Sequence, residues 1–170
     1  MGTHNIFLTG FMGTGKSTIA GELSRQTKMT QMEMDEEIVK RQGMSINDIF
    51  EKYGEAYFRD LESNLLIELE SHGGMVVSCG GGVVMRRENV EHMRKSGRII
   101  LLTASAETIY RRVRNSPDRP ILNNHMNVEF ISGLMEKRRE AYEAAADFIV
   151  ETDGKAVLQI CEEIREYMGL

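Results

Sequence analysis

At 170 residues, with 41% hydrophobic and 28% charged side chains, the chain has the composition of one soluble domain large enough for a substantial core. A formal net charge of −5 argues against nucleic acid as the primary partner, and no apolar run approaches the ~20 residues of a membrane span. Cys79 and Cys161 have no metal-ligand spacing and read as reduced, buried thiols of a cytoplasmic protein. The sequence opens with no signal-peptide pattern, and Ile6 breaks the myristoylation pattern that Gly2 would start.

In chain order, Asn5 to Thr9 is a short apolar run suited to a buried strand. Gly10-Phe11-Met12-Gly13-Thr14-Gly15-Lys16-Ser17-Thr18 follows, and Ile19, Ala20 and Leu23 then repeat at helical spacing. The stretch fits G-x-x-x-x-G-K-[ST], a phosphate-binding loop between a strand and a helix. Its glycines let backbone N–H groups turn inward around an anion, and the helix that follows adds its unpaired N-terminal donors. Gly13, Thr14, Gly15, Lys16, Ser17 and Thr18 are therefore the expected contacts to the phosphates of a nucleoside triphosphate, with Lys16 reaching the β- and γ-phosphates and Ser17 available to Mg2+.

Gln31 to Met34 reads as a second strand ending at Asp35, and Glu36 to Arg41 as a helix stopped by Gly43. Ser45-Ile46-Asn47-Asp48 is a capping-box signature for a short helix through Phe50. A longer helix is expected over about 55–70, with Phe58, Leu61, Leu65 and Leu69 as its apolar row. Met75 to Ser78 reads as a third strand running into Cys79-Gly80-Gly81-Gly82. An exposed helix with Arg86, Arg87, Glu88 and Glu91 closes at Gly97, and Arg98 to Leu102 is a fourth strand. Ser105 can cap a helix to about Arg114. Asn115 to Asn124, with both prolines and three asparagines, reads as a long functional loop. A helix over about 127–146, a strand at Phe148 to Val150 and a final amphipathic helix carrying Ala156, Val157, Ile160, Cys161 and Ile164 complete the chain.

Strands alternating with helices imply an α/β fold with a five-stranded parallel sheet and helices on both faces. Ligands in such folds sit beyond the carboxyl ends of the strands, where the phosphate loop, Asp35 and the three glycines should meet. Asp35 can bind magnesium or accept the proton of an attacking hydroxyl, or it can cap the helix behind it. Glu33 can share the metal role. Arg59 and Glu62 have the spacing of a surface ion pair. Arg138 continues the apolar row Phe130, Ile131, Leu134, Met135, so it should face inward. There it needs an anion, either a bound carboxylate or phosphate or a structural carboxylate. Arg119, between Pro117 and Pro120, reads either as a lid cation closing on the transferring phosphate or as an exposed loop residue.

Together these stretches resemble the shikimate kinase family over nearly the whole chain. The phosphate loop, Glu33-Met34-Asp35 in place of a D-x-D, Gly43-x-Ser45-Ile46-x-Asp48-Ile49-Phe50, Phe58-Arg59-x-x-Glu62, Gly80-Gly81-Gly82, Arg119-Pro120-Ile121-Leu122 and Lys137-Arg138 followed by Tyr142 match its motifs in order. The resemblance implies a P-loop fold like that of nucleoside-monophosphate kinases. One domain would span 1–170, with substrate-binding helices at about 34–62 and a lid at about 115–126. It implies transfer of the ATP γ-phosphate to the 3-hydroxyl of shikimate, in a monomer with no nucleic-acid or membrane partner. Asp35 would orient and deprotonate the hydroxyl. Arg59, Arg138 and the Gly81 backbone would bind shikimate. Lys16 and Arg119 would neutralise the transferring phosphate, Ser17 and Glu33 would serve Mg2+, and Arg112 would lie against the adenine. Kinases of other small hydroxy acids such as gluconate share the scaffold, and a non-catalytic nucleotide-binding protein is the reading from another class. The family has aspartate where this chain has Glu33, so the carboxylate that would face magnesium is one methylene longer.

Overall fold

The computed structural model describes residues 4–114 and 127–170. Among these, β1 (Asn5–Thr9), β2 (Thr30–Glu33), β3 (Met75–Ser78), β4 (Gly97–Thr103) and β5 (Phe148–Glu151) form one parallel sheet in the order β2-β3-β1-β4-β5. The helices are α1 (Lys16–Thr27), α2 (Met34–Gln42), α3 (Ile46–Tyr53), α4 (Glu55–Leu69), α5 (Arg87–Ser96), α6 (Ala106–Val113), α7 (Val128–Ala145) and α8 (Val157–Met168).

The period-2 alternation of strand side chains deals the apolar residues to two cores. Ile6 and Leu8 of β1 pack with Val76, Ile100, Leu102 and Val150 under α1 and α8. Phe7 lies in register with Val77 and Ile99 and points to the other face, where α2 to α7 bury it. The inner strands β1, β3 and β4 are covered on both faces and are apolar along most of their length, whereas the edge strand β2, Thr30-Gln31-Met32-Glu33, is exposed or half-buried. Each fully buried side chain of this size contributes about 1.5–3 kcal/mol relative to exposure.

The helix starts follow side-chain chemistry. The hydroxyls of Ser45 and Ser105 and the amide oxygen of Asn127 accept from the backbone N–H groups of Asp48, Thr108 and Phe130. Buried Asn5 makes a longer-range tie: Nδ2 donates to His72 O at 2.7 Å and Leu69 O at 3.4 Å, while Oδ1 accepts from Met75 N at 3.0 Å. The N-terminal end of the central strand thus holds the C-terminal end of α4 and the start of β3.

Some boundaries differ from the sequence reading. The second strand stops at Glu33 because Met34, fully buried, already belongs to the first turn of α2. Asp35 is therefore a helical residue rather than a strand end. Gly97 closes α5 as expected, its N–H bonding Met93 O, and in extended conformation it also opens β4; a Cβ there would lie 2.2 Å from Asn5 O.

Candidate active site

The loops after β1 and β3 and the start of α2 line one cavity of about 820 Å³, within the range of ligand pockets. The phosphate loop needs its glycines for two different reasons. Gly10 has φ 141°, and a Cβ there would meet Leu102 O at 2.4 Å. Gly15, with φ 98°, is the N-cap of α1 and supplies no side-chain cap. The helix donors are left open to an anion. Lys16 Nζ donates to the carbonyls of Gly10 and Phe11, at 2.7 and 3.1 Å. Buried Thr14 turns its hydroxyl to Phe11 O at 2.9 Å, so its side chain closes the loop and leaves only its backbone for phosphate. Gly13, Ser17 and Thr18 line the cavity. Arg112 also lines it, with Nη1 donating to Gly13 O at 2.9 Å.

Ser17 Oγ donates to Glu33 Oε2 at 2.9 Å, and Gln31 holds the other carboxylate oxygen at 3.0 Å. Glu33 occupies the N-cap position of α2 without a side-chain cap bond. Asp35 is not the cap. It stands in the first turn, where the helix dipole favours its charge, and lines the cavity.

The acceptor side is built on α4. Glu62 is fully buried; its Oε1 accepts from Arg59 Nη1 at 2.7 Å, and its Oε2 has no hydrogen-bond partner among the described residues. The expected surface ion pair is thus a buried one. The buried stripe of α4 runs through Phe58, Glu62, Ser63, Leu65, Leu66 and Leu69, and Leu61 lies at its margin. Burial raises the Glu62 carboxyl to about 7; Arg59 opposes the rise, and nearby Asp35 adds to it.

Gly80, Gly81 and Gly82 pass close beneath these groups. A Cβ on Gly80 would lie 2.7 Å from Glu62 Oε2 and 3.2 Å from Asp35 Oδ1. One on Gly82 would lie 2.5 Å from Arg59 Nη1, and one on Gly81 3.3 Å from Arg138 Nη1. The triple glycine is therefore what brings Asp35, Arg59, Glu62 and Arg138 together. Tyr142, also on α7, donates its hydroxyl to Gly81 O, and burial raises that hydroxyl's pKa. Arg138 faces the cavity with its guanidinium 5.8 Å from the Phe11 ring centroid. No carboxylate pairs with Arg138 among the described residues; its side chain interacts with the Tyr142 hydroxyl. Lys137 and Arg139 point to solvent.

Sequence reasoning missed three contributors: Tyr142 as the holder of Gly81, Phe11 beneath Arg138, and Glu55, which also lines the cavity. The i, i+4 spacing of Glu55 and Arg59 was the available signal for the last. Arg119 and the lid at about 115–126 lie outside the described residues. Both cysteines are buried and free, and burial pushes both thiols up, Cys161 to about 11. No helix among the described residues is long and apolar enough to cross a membrane.

A family model described as shikimate kinase matches residues 12–169. A shikimate kinase of Geobacter sulfurreducens is 42% identical over 164 residues, which is 96% of this chain and 90% of that protein. The structure of a shikimate kinase from Acinetobacter baumannii in complex with shikimate superposes with a TM-score of 0.90 at 30% identity, covering 98% of this chain and 93% of that one. A gluconokinase from Sinorhizobium meliloti 1021 covers 98% of this chain and 91% of its own, with a TM-score of 0.61 and 16% identity, a likeness of fold alone. The chain belongs to the shikimate kinase family.

Proposed function

We infer that the chain transfers the γ-phosphate of ATP to the 3-hydroxyl of shikimate, a step of aromatic amino-acid biosynthesis. One observation carries this reading: a phosphate loop and a pair of cavity-facing arginines, Arg59 and Arg138, open into the same cavity as the Asp35 carboxylate. A phosphate loop alone binds nucleotide. The arginines add a site for the carboxylate of a small hydroxy acid, and Asp35 adds a group that can take the proton of its hydroxyl.

The residues divide the work. Open N–H donors at the start of α1 and the Lys16 ammonium hold the phosphates. Lys16 now bonds the loop's own carbonyls and can exchange those partners for phosphate oxygens. Arg112 stands at the loop's edge, on the side assigned to the nucleotide base. Arg59 and Arg138 fix the acceptor by its carboxylate, and the backbone at Gly81, held by Tyr142, meets its ring hydroxyls. Asp35 orients the attacking hydroxyl and takes its proton. Arg119, on the loop assigned as lid, would approach the transferring phosphate.

A magnesium ion fits the hydroxyl and carboxylate oxygens that Ser17 and Glu33 bring within 2.9 Å of each other. No cluster of three or more potential acidic, His or Cys ligands exists among the described residues, which suits an ion that keeps waters and takes its other ligands from phosphate. When bound, it would neutralise charge on the β- and γ-phosphates. The longer Glu33 side chain reaches the Ser17 hydroxyl at 2.9 Å. Two free buried thiols suit a reducing cytoplasm.

ADP release coupled to a spectrophotometric readout, with ATP and Mg2+ and with shikimate, gluconate, AMP or no acceptor, tests the reading. Shikimate alone should raise ADP release above the acceptor-free rate. Equal rates with gluconate would replace the acceptor, and equal rates without any acceptor would leave only nucleotide binding.

A further inference from the structure

Two carboxylates of different character hold the Arg59 guanidinium. Glu62 binds Nη1 through a short bond and is wholly buried, so it stays whatever else the cavity contains. Glu55, one turn earlier on α4, reaches the opposite edge. Its single oxygen Oε1 accepts from Nη2 at 3.2 Å and from Nε at 3.4 Å, and its side chain is 65% exposed. The Nε–Nη2 edge of an arginine is the one that grips a carboxylate through two parallel bonds. Here it is filled by one shared oxygen at long distances, on a side chain that solvent can readily take back. Arg138, the other cation of this part of the cavity, has no carboxylate among the described residues.

We propose that Glu55 is a placeholder for the acceptor's carboxylate: it occupies the Nε–Nη2 edge of Arg59 in the empty site and must leave when the acceptor binds. The proposal rests on the acceptor reading given above and adds a specificity-determining residue to it. An acceptor carboxylate can reach Arg59 with two oxygens and Arg138 as well, and it displaces Glu55. A monodentate anion such as chloride, or a carboxylate without the ring hydroxyls such as acetate, gains too little to do so. Glu55 thereby lowers affinity for every anion, and the acceptor proper tolerates the loss best.

Glu55→Gln retains the shape and removes the charge; Glu55→Asp retains the charge and shortens the reach. Shikimate binding by calorimetry, steady-state kinetics, and inhibition by acetate and chloride should be measured for both and for the unaltered chain. Both variants should bind shikimate about two- to fivefold more tightly, the range of an exposed ion pair, with the gain in KM rather than in kcat. Acetate and chloride should inhibit both more strongly. In an Arg59→Ala background Glu55→Gln should change nothing, because the shared partner is gone. Unchanged or weaker shikimate binding in both variants, with the unaltered chain binding normally, overturns the placeholder and makes Glu55 a residue that orients Arg59. Failure of the unaltered chain to bind shikimate overturns the acceptor reading instead, and the placeholder with it.

Discussion

Asp35 stands in the first turn of α2, in the same cavity as the phosphate loop. As the group proposed to take the hydroxyl proton, it should be replaceable in shape but not in basicity. Asp35→Asn is expected to bind ATP and shikimate and to lose about 10²–10⁴-fold in kcat, the usual range for a general base; near-normal turnover would leave it an orienting group at most. Glu62 titrates near neutral pH. Its carboxyl lies near 7 in the empty site, pushed up by burial. Above that pH it is charged and repels a second carboxylate brought to Arg59; below it the charge is gone. Shikimate should therefore bind more weakly at pH 8 than at pH 6, and Glu62→Gln should remove that slope. The same shift has a stability consequence of definite sign. Between about 4.5 and 7 the folded chain holds a proton that the unfolded chain releases, so stability falls as pH rises through that window. Thermal melts across it should flatten in Glu62→Gln.

At the scale of elements, most of the fold could be read from periodicity, since apolar strands and capped helices announce themselves locally. The caps at Ser45 and Ser105 and the strand–loop–helix around Lys16 lie where the residue pattern puts them. What escaped was settled across elements. Leu61 and Glu62 are neighbours on α4, and hydrophobicity alone favours burying the leucine. The structure buries the glutamate, because Arg59 and the triple glycine supply a polar niche that no local pattern contains. The end of β2 was misread for a similar reason: Met34 suits a strand or a helix, and its buried seat in the larger core decides for α2. Asn5 was read only as part of a buried run, yet it ties α4 to the sheet. Asn5→Ala would strand the carbonyl of His72 and the N–H of Met75, at about 1 kcal/mol each because both bonds are only part-buried. The melting temperature should drop by roughly 4–8 °C. Since α4 carries Arg59 and Glu62 but no part of the phosphate loop, KM for shikimate should rise more than KM for ATP. An equal rise in both would place the effect elsewhere.

At the scale of the molecule, the sheet divides the chain into two unequal cores, and the site draws on both. Helix α1 rests on the smaller core with α8, whereas Phe11 and Met12 of the phosphate loop and α2, α4 and α7, which bring Asp35, Arg59 and Arg138, rest on the larger. Only the strands touch both. Phe7 on the central strand is wholly buried in the larger core, between Ile6 and Leu8, which serve the smaller. A change such as Phe7→Ala, at about 3–5 kcal/mol, should therefore weaken nucleotide and acceptor sites alike, even though only one core loses volume.

The double service of β1 has a further consequence for how the molecule comes apart. Its carboxyl end launches the loop proposed to hold phosphate, and through Asn5 its amino end grips α4, which carries Arg59 of the proposed acceptor site. Neither half can melt away and leave the other mounted on an intact strand. Titrated with urea, the chain should lose its capacity for an ATP analogue and for shikimate at one common midpoint, in a single cooperative step. Separate midpoints would mean that the two halves are autonomous. A single one would mean that a cell degrading this enzyme never meets a half-working remnant that still hoards nucleotide.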